Sequence, residues 1–166
     1  MVTERRRYHP ADYGPTTWRR LVRAALAKSD ALECAIPYPH VVHDLFGAPL
    51  WPADLETLRS AVTDRHVSLV RWGRLQDEPV QLLRLALTPA VRRYVRGVDA
   101  LHRWAWGLGR PEDPSFYADA EPVMTTESRS GRVSVYLTDD ELARLRSAGL
   151  RLLEPLGLEA DPWPTP

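Results

Sequence analysis

The sequence has almost no cysteine and no long apolar run. Cys34 is the only cysteine among 166 residues, so neither an internal disulfide nor a cysteine-based zinc cluster can form. No stretch approaches the roughly 18 consecutive apolar residues of a membrane-spanning helix. The charged N-terminus also lacks the apolar segment of a secretory signal. These absences predict a soluble cytoplasmic protein.

The familiar catalytic motifs are missing as well. The chain contains no G-x-S-x-G nucleophile motif, no Walker-type phosphate loop and no G-x-G-x-x-G nucleotide-binding motif. Cys34 lies in an apolar stretch between Glu33 and Ala35. Because a catalytic thiol needs a neighbouring base and electropositive surroundings, we interpret Cys34 as a buried structural residue. The sequence predicts no cofactor, and an enzyme is not the first expectation.

Charge is balanced over the whole chain but not along it. Lysine is nearly absent: the chain has one lysine, Lys28, and 21 arginines, a usage typical of a GC-rich bacterial genome. The 22 basic and 22 acidic residues give no argument for nucleic-acid or membrane binding. Residues 1–111 nevertheless carry 17 basic and 11 acidic side chains, whereas residues 112–166 carry 5 and 11. Such asymmetry favours association with a charged partner.

Apolar periodicity predicts one α+β domain over residues 15–158, between an N-terminal arm (1–14) and a C-terminal tail (159–166). Adjacent strands with short links predict an antiparallel or mixed sheet of about five strands, covered by helices. Helices are expected over about 16–32, 52–62 and 88–107 and from Thr138 onward, and strands over 33–38, 66–73, 79–88 and the two arms of a hairpin at 121–137.

One group of residues has the types of a metal site. His40, His43 and Asp44 would point to one side of a helical turn, and nitrogen with oxygen ligands suits a transition metal. Pro39 disfavours that helical turn, and the pattern is not H-E-x-x-H. Polar caps at a loop are the simpler interpretation, so no metal is predicted. A small metal-dependent enzyme stays an alternative.

Arginines also concentrate on two of the predicted helices and in the arm. Such faces contact phosphates in nucleic-acid-binding proteins, which makes a regulator of that kind a further alternative. The acidic C-terminal third would repel the same polyanion, so nucleic acid is not the expected partner. The residues concerned are Arg5, Arg6, Arg7, Arg19, Arg20, Arg23, Arg92, Arg93, Arg96 and Arg103.

The leading hypothesis rests on an acidic segment that precedes Arg129. Carboxylates steer the encounter with a cationic surface and aromatic rings anchor it, so the segment favours a basic macromolecular partner. The simpler interpretation is a soluble loop and a charged hairpin edge. We predict a non-enzymatic interaction protein, of the immunity or antitoxin-type inhibitor class. The candidate partner-binding residues are Glu112, Asp113, Phe116, Tyr117, Asp119, Glu121 and Glu127, with Trp104 on the outer face of the preceding helix.

Overall fold

The structure, a computed structural model, describes residues 4–37, 53–71 and 74–155; the predicted tail, 159–166, lies outside these ranges. The described residues form strands β1 to β8 and helices α1 to α3, and the helix predicted over 52–62 is a 3-10 helix at Ala53–Ala61. The strands are Arg6–Pro10, Ala31–Pro37, Val62–Arg71, Arg74–Ala86, Glu112–Ala118, Glu121–Glu127, Arg132–Leu137 and Leu152–Leu153, and the α-helices are Pro15–Lys28, Pro89–Gly97 and Asp139–Ser147. All eight strands belong to one antiparallel sheet, in the order β3-β4-β2-β5-β6-β7-β1-β8.

The prediction of about five strands is wrong, because the sheet has eight. The strands missed are β1, β5 and β8. β1 falls in the segment that was expected to be an arm. Its arginines obscure the apolar alternation typical of a strand, although Tyr8 is buried in the core. β5 resembles an acidic loop because it begins with two carboxylates and a proline. Hydrogen bonds from distant strands hold both segments extended, and local sequence does not report such pairing.

The helices are shorter than the apolar periodicity predicts. α1 ends at Lys28, since the chain from Ala31 onward pairs with β4 and β5. α2 ends at Gly97, and two short 3-10 turns, Leu101–Arg103 and Trp106–Leu108, follow it. The predicted caps are confirmed: the Thr88 hydroxyl accepts from the N–H of Val91, and Thr138 and Glu141 form a capping box at the start of α3.

The core lies between the helices and one face of the sheet. Leu32, Cys34 and Ile36 alternate along β2 toward this side and are fully or almost fully buried. The hairpin at 121–137 is part of the main sheet, as predicted. Its inward side chains Val133, Val135 and Leu137 are buried, as predicted, but Ser134 and Tyr136 on the other face are buried as well, so the strand does not have the single buried face that the alternation predicted. The interpretation of Cys34 as a buried thiol is also confirmed.

The other face of the sheet carries a row of polar residues. Asp64 pairs with Arg84, Arg84 with Glu33, and Glu33 with Ser115, across β3, β4, β2 and β5. Residues paired directly across strands share a face, so these side chains lie on one side. The pair Thr125–Ser134 continues the polar pattern on β6 and β7. Ser115, Thr125 and Ser134 are buried, so this polar face is not open to solvent at its centre.

Candidate functional site

The five carboxylates of the predicted acidic surface do not share one surface. Glu112 begins β5 and Glu127 ends β6, at one end of the sheet. Asp119 follows β5 and Glu121 begins β6, at the opposite end. A strand of this length rises about 3.3 Å per residue, so the two groups lie roughly 20 Å apart. The expectation of a single acidic surface is therefore wrong, because the segment folds into a hairpin that sends its two halves to opposite ends.

Two of these carboxylates are buried at the start of β5. Glu112 is 7% exposed and Asp113 is 6% exposed. The Nε of Arg129 donates to Glu112 at 3.0 Å. The N–H of Asp113 donates to the Ser128 hydroxyl at 2.8 Å, and the N–H of Ser128 donates back to the Asp113 carboxylate. Both acids therefore fasten the start of β5 to the turn after β6, rather than presenting charge to a partner.

Glu127, at the same end of the sheet, is also engaged within the chain. Its carboxylate accepts from the Ser130 hydroxyl at 2.9 Å and from Arg132 at 3.4 Å. The arginines that end the acidic segment thus contact its own acids, Arg129 on Glu112 and Arg132 on Glu127. Most of the negative charge at this end is consequently compensated locally.

The predicted aromatic anchors are buried. Trp104 and Phe116 are fully buried and Tyr117 nearly so, which contradicts their expected exposure. A helical wheel placed Trp104 outside, but α2 ends at Gly97, and the 3-10 turn at Leu101–Arg103 rotates Trp104 inward. There the Trp104 ring meets Tyr94 edge-on, with ring centroids 5.6 Å apart. Phe116 faces the core opposite Met124. Neither ring can anchor a partner in this state.

Tyr117 belongs to a polar cluster on the sheet. Its hydroxyl donates to Glu33 at 3.4 Å, and the guanidinium carbon of Arg84 lies 5.1 Å from the centre of its ring. Burial raises the pKa of Tyr117, and the neighbouring charge of Glu33 raises it further. The phenol therefore stays protonated at neutral pH and serves as a donor to Glu33. Cross-strand pairing of Glu33 with Arg84 completes a structural cluster.

Exposed negative charge remains at the other end of the sheet. The exposed residues Asp119 and Glu121 are joined there by Asp30, whose carboxylate accepts the N–H of Asp119 at 3.0 Å. The N–H of Asp30 in turn donates to the carbonyl of Tyr117 at 3.0 Å, which fixes the loop after α1 against β5. Asp140 lies in the first turn of α3, directly after β7. We call Asp30, Asp119, Glu121 and Asp140 the acidic end.

Two of the bases near the acidic end are bound to other carboxylates, and a third, Arg5, lies close enough to Glu141 to help lower the pKa of that carboxyl. Arg6 pairs with Asp139 at 2.8 Å, and Lys28 pairs with Glu141 at 2.7 Å. Among the described residues, no ion pair joins a base to any of the four carboxylates of the acidic end. Asp30 and Asp140 were not among the sequence candidates. Asp30 lies far from the acidic segment along the chain, and Asp140 reads simply as a first-turn helix residue.

The metal candidates His40, His43 and Asp44 lie outside the described residues, so their role stays a prediction. Across residues 4–37, 53–71 and 74–155, no group of three or more histidine, cysteine, aspartate or glutamate side chains is placed to hold a metal ion. On strand β3, the exposed residue His66 contacts Asp64 at 2.9 Å.

The arginines of α1 and α2 differ in how many of their donors are bound within the chain. Arg20 donates to the carbonyl of Ala148 at 2.9 Å. Arg92 donates to the carbonyls of Leu26, Ser29 and Leu87, and so joins the end of α1 to the start of α2. The exposed arginines of these helices are Arg19, Arg20, Arg23, Arg93 and Arg96, of which Arg19 also donates to the carbonyl of Pro15 at 3.2 Å. The basic faces predicted from the sequence therefore keep part of their charge free for a ligand.

Within the described ranges, no helix combines the length and the apolar character needed to cross a membrane. Comparisons of the chain with protein-family models, with curated proteins and with solved structures find no match. Function is therefore inferred from the residues and contacts of this chain.

Proposed function

We propose that the chain is a non-enzymatic interaction protein whose acidic end binds a basic macromolecular partner. One observation carries the proposal: four exposed carboxylates, from three separate parts of the chain, meet at one end of the sheet without a described base paired to them. Like charges repel when the fold gathers them at one end of the sheet, whereas in the unfolded chain they are farther apart. A cationic partner would relieve that repulsion and add charge-assisted hydrogen bonds.

The backbone at this end supports such a role. The hydrogen bond between Asp30 and the N–H of Asp119 ties two of the carboxylates to the ends of β2 and β5. Charged groups that are already positioned lose less conformational entropy when a partner binds. Their exposure leaves them free to steer a cationic surface over roughly a Debye length, about 8 Å at physiological salt. Arginine is the expected complementary residue, because its guanidinium binds a carboxylate through two parallel hydrogen bonds.

The narrower form of this proposal is an immunity or antitoxin-type inhibitor that neutralises a basic toxin. Its support is the size of the chain and the four exposed carboxylates of the acidic end. An inhibitor needs no catalytic group of its own, since occupying the basic surface of the toxin is sufficient.

Two matched charge reversals on β6 test the proposal. Glu121 and Glu127 are the first and last residues of the same strand, so Glu121→Lys and Glu127→Lys make the same chemical change at opposite ends of the sheet. Each variant and the parent are immobilised and exposed to a lysate of the native host at low salt. A basic protein should be retained by the parent and by Glu127→Lys, released by added salt, and lost with Glu121→Lys.

The same three proteins then give association rates with the captured partner at two salt concentrations. The parent should associate faster at low salt, and Glu121→Lys should associate more slowly with a flatter salt dependence. If Glu121→Lys captures the partner and associates as fast as the parent, the acidic end is a solubility feature and the proposal is wrong.

A further inference from the structure

The exposed sides of α1 and α2 carry a basic surface. Arg19 and Arg23 of α1 and Arg96 of α2 border the same groove between the two helices. Arg93 lies three residues before Arg96 on α2, and residues with that spacing share one side of a helix. All four side chains are exposed. We call Arg19, Arg23, Arg93 and Arg96 the arginine face.

No carboxylate compensates this positive charge. Neither α1 nor α2 contains an acidic residue. Within the described part of the chain, no ion pair joins the arginine face to a carboxylate. The first carboxylate after α2, Asp99, pairs with Arg103 at 3.3 Å. Arg19 and Arg23 are four residues apart on one helix, where like charges repel, so an anion bound between them would relieve that repulsion.

The arginine face lacks the apolar anchors of a protein interface. The large hydrophobic side chains exposed in the described residues all lie outside α1 and α2. Protein interfaces depend on aromatic or aliphatic anchors at their centre, so a protein partner has little to hold here. No aromatic ring on either helix is exposed, so the bases of a single-stranded nucleic acid would find no surface for stacking.

We propose that the arginine face binds the phosphate backbone of duplex DNA without reading its sequence. A guanidinium donates parallel hydrogen bonds to phosphate oxygens, and a DNA duplex presents a negative charge about every 1.7 Å along its axis. The exposed side of α1 has neither asparagine nor glutamine to recognise adenine, and no carboxylate to recognise cytosine. DNA is favoured over duplex RNA, because the major groove of B-form DNA admits an α-helix and that of A-form RNA is too narrow.

The acidic third of the chain does not oppose this contact. Glu112, Asp113 and Glu127 are buried or bound within the chain, so they contribute little external field. The acidic end lies beyond the last residue of α1, and Arg19 and Arg23 lie nine and five residues before it. At 1.5 Å per residue these separations are roughly 14 and 8 Å, which reach or exceed the Debye length of about 8 Å at physiological salt.

The arginine face and the acidic end consist of different residues, so this inference does not depend on the proposed function. Arg23→Gln and Arg96→Gln each remove one exposed charge, and glutamine preserves the helix propensity of arginine. Both variants should therefore fold like the parent, which circular dichroism checks. Arg59→Gln is the matched control: it changes the net charge equally, but Arg59 is exposed on the 3-10 helix Ala53–Ala61 and pairs with Glu56 at 2.8 Å.

Fluorescence anisotropy of a labelled short DNA duplex, titrated with the full chain at several salt concentrations, tests the inference. The parent should bind saturably at low salt and with equal affinity for two duplexes of unrelated sequence. The logarithm of its binding constant should fall with the logarithm of salt concentration with a slope of about −3 to −4, as expected for four phosphate contacts. Arg23→Gln and Arg96→Gln should each reduce the magnitude of this slope by about 1, whereas Arg59→Gln should keep the slope of the parent.

The inference is overturned if the parent shows no salt-dependent binding of the duplex, or if Arg59→Gln reduces the slope as much as the two variants of the arginine face do. An RNA duplex and single-stranded DNA are titrated in the same way, and tighter binding of either would contradict the assignment to duplex DNA. Sedimentation of the parent at low salt tests one more occupant. A dimer that Glu121→Lys dissociates would mean that the acidic end of a second copy covers the arginine face, which would also overturn the inference.

Discussion

At the scale of single residues, two aspartates of the acidic segment adopt the same unusual backbone conformation for different purposes. Asp113 has a φ of 53° and Asp119 a φ of 50°. Aspartate tolerates this left-handed region better than most residues, because its short side chain can hydrogen-bond locally. Asp113 is buried and exchanges hydrogen bonds with Ser128, whereas the side chain of Asp119 is exposed at the acidic end. Sequence alone does not distinguish the two.

A matched pair of substitutions separates these roles. Asp113→Ala and Asp119→Ala both place alanine at a positive φ, so the backbone cost is shared. Asp113→Ala additionally leaves the N–H of Ser128 without its acceptor, and it should lower the free energy of unfolding by about 1–3 kcal/mol more than Asp119→Ala does. Urea unfolding of the two variants measures the difference. Equal losses would mean that the Asp113 carboxylate contributes nothing to the fold.

At the scale of elements, α3 is linked to α1 by Glu141, which belongs to the capping box of α3 and forms an ion pair with Lys28 of α1. Glu141 accepts the N–H of Thr138 at 3.0 Å and pairs with Lys28 at 2.7 Å. Burial opposes ionisation of Glu141, but the hydrogen bonds from Lys28 and Thr138, with the nearby positive charge, outweigh it, so the pKa of Glu141 lies below its ordinary value. The ionised carboxylate therefore stabilises the folded chain.

This arrangement predicts a pH dependence. A carboxyl whose pKa is lower in the folded state contributes stability at pH values above its unfolded pKa, about 4.3, and loses it as pH falls through the folded value. Glu141→Gln should therefore be less stable than the parent at pH 7, and the difference should shrink below about pH 4. Thermal unfolding at several pH values measures this difference in stability between Glu141→Gln and the parent. Glu127→Gln, which also removes one carboxylate, is measured for comparison. A deficit that is the same at pH 7 and pH 3 would contradict the assigned ion pair.

The elements that the sequence predicted correctly are those specified by neighbouring residues. The caps at Thr88 and Thr138 and the hairpin at 121–137 are local patterns, and all three are confirmed. β1 could not be predicted in this way, because its partners lie far along the chain; β5 pairs with the adjoining β6, but also with the distant β2, and its own start of two carboxylates and a proline is not typical of a strand. Trp104 was misplaced because the apolar spacing continues past Gly97, where α2 ends.

At the scale of the whole molecule, the division of charge along the sequence does not become a division into two faces. Asp30 comes from the basic part of the chain yet contributes to the acidic end, while Glu112 and Asp113 from the acidic part are buried at the opposite end. Antiparallel pairing is the cause, because it places residues at the start of one strand beside residues at the end of its partner strand. The sequence could indicate that the protein has an acidic surface. Only the strand register identifies which residues form that surface.

The acidic end itself is tested most directly by a cationic probe. Decalysine is titrated at low salt into isotopically labelled protein, and the amide chemical shifts are followed by NMR. The largest saturable shifts should come from Asp30, Asp119, Glu121 and Asp140, and both added salt and Glu121→Lys should reduce them. Glu127→Lys should leave them nearly unchanged. Shifts that cluster instead around Glu112 and Glu127, or that persist in Glu121→Lys, would contradict the assignment of the partner-binding surface to the acidic end.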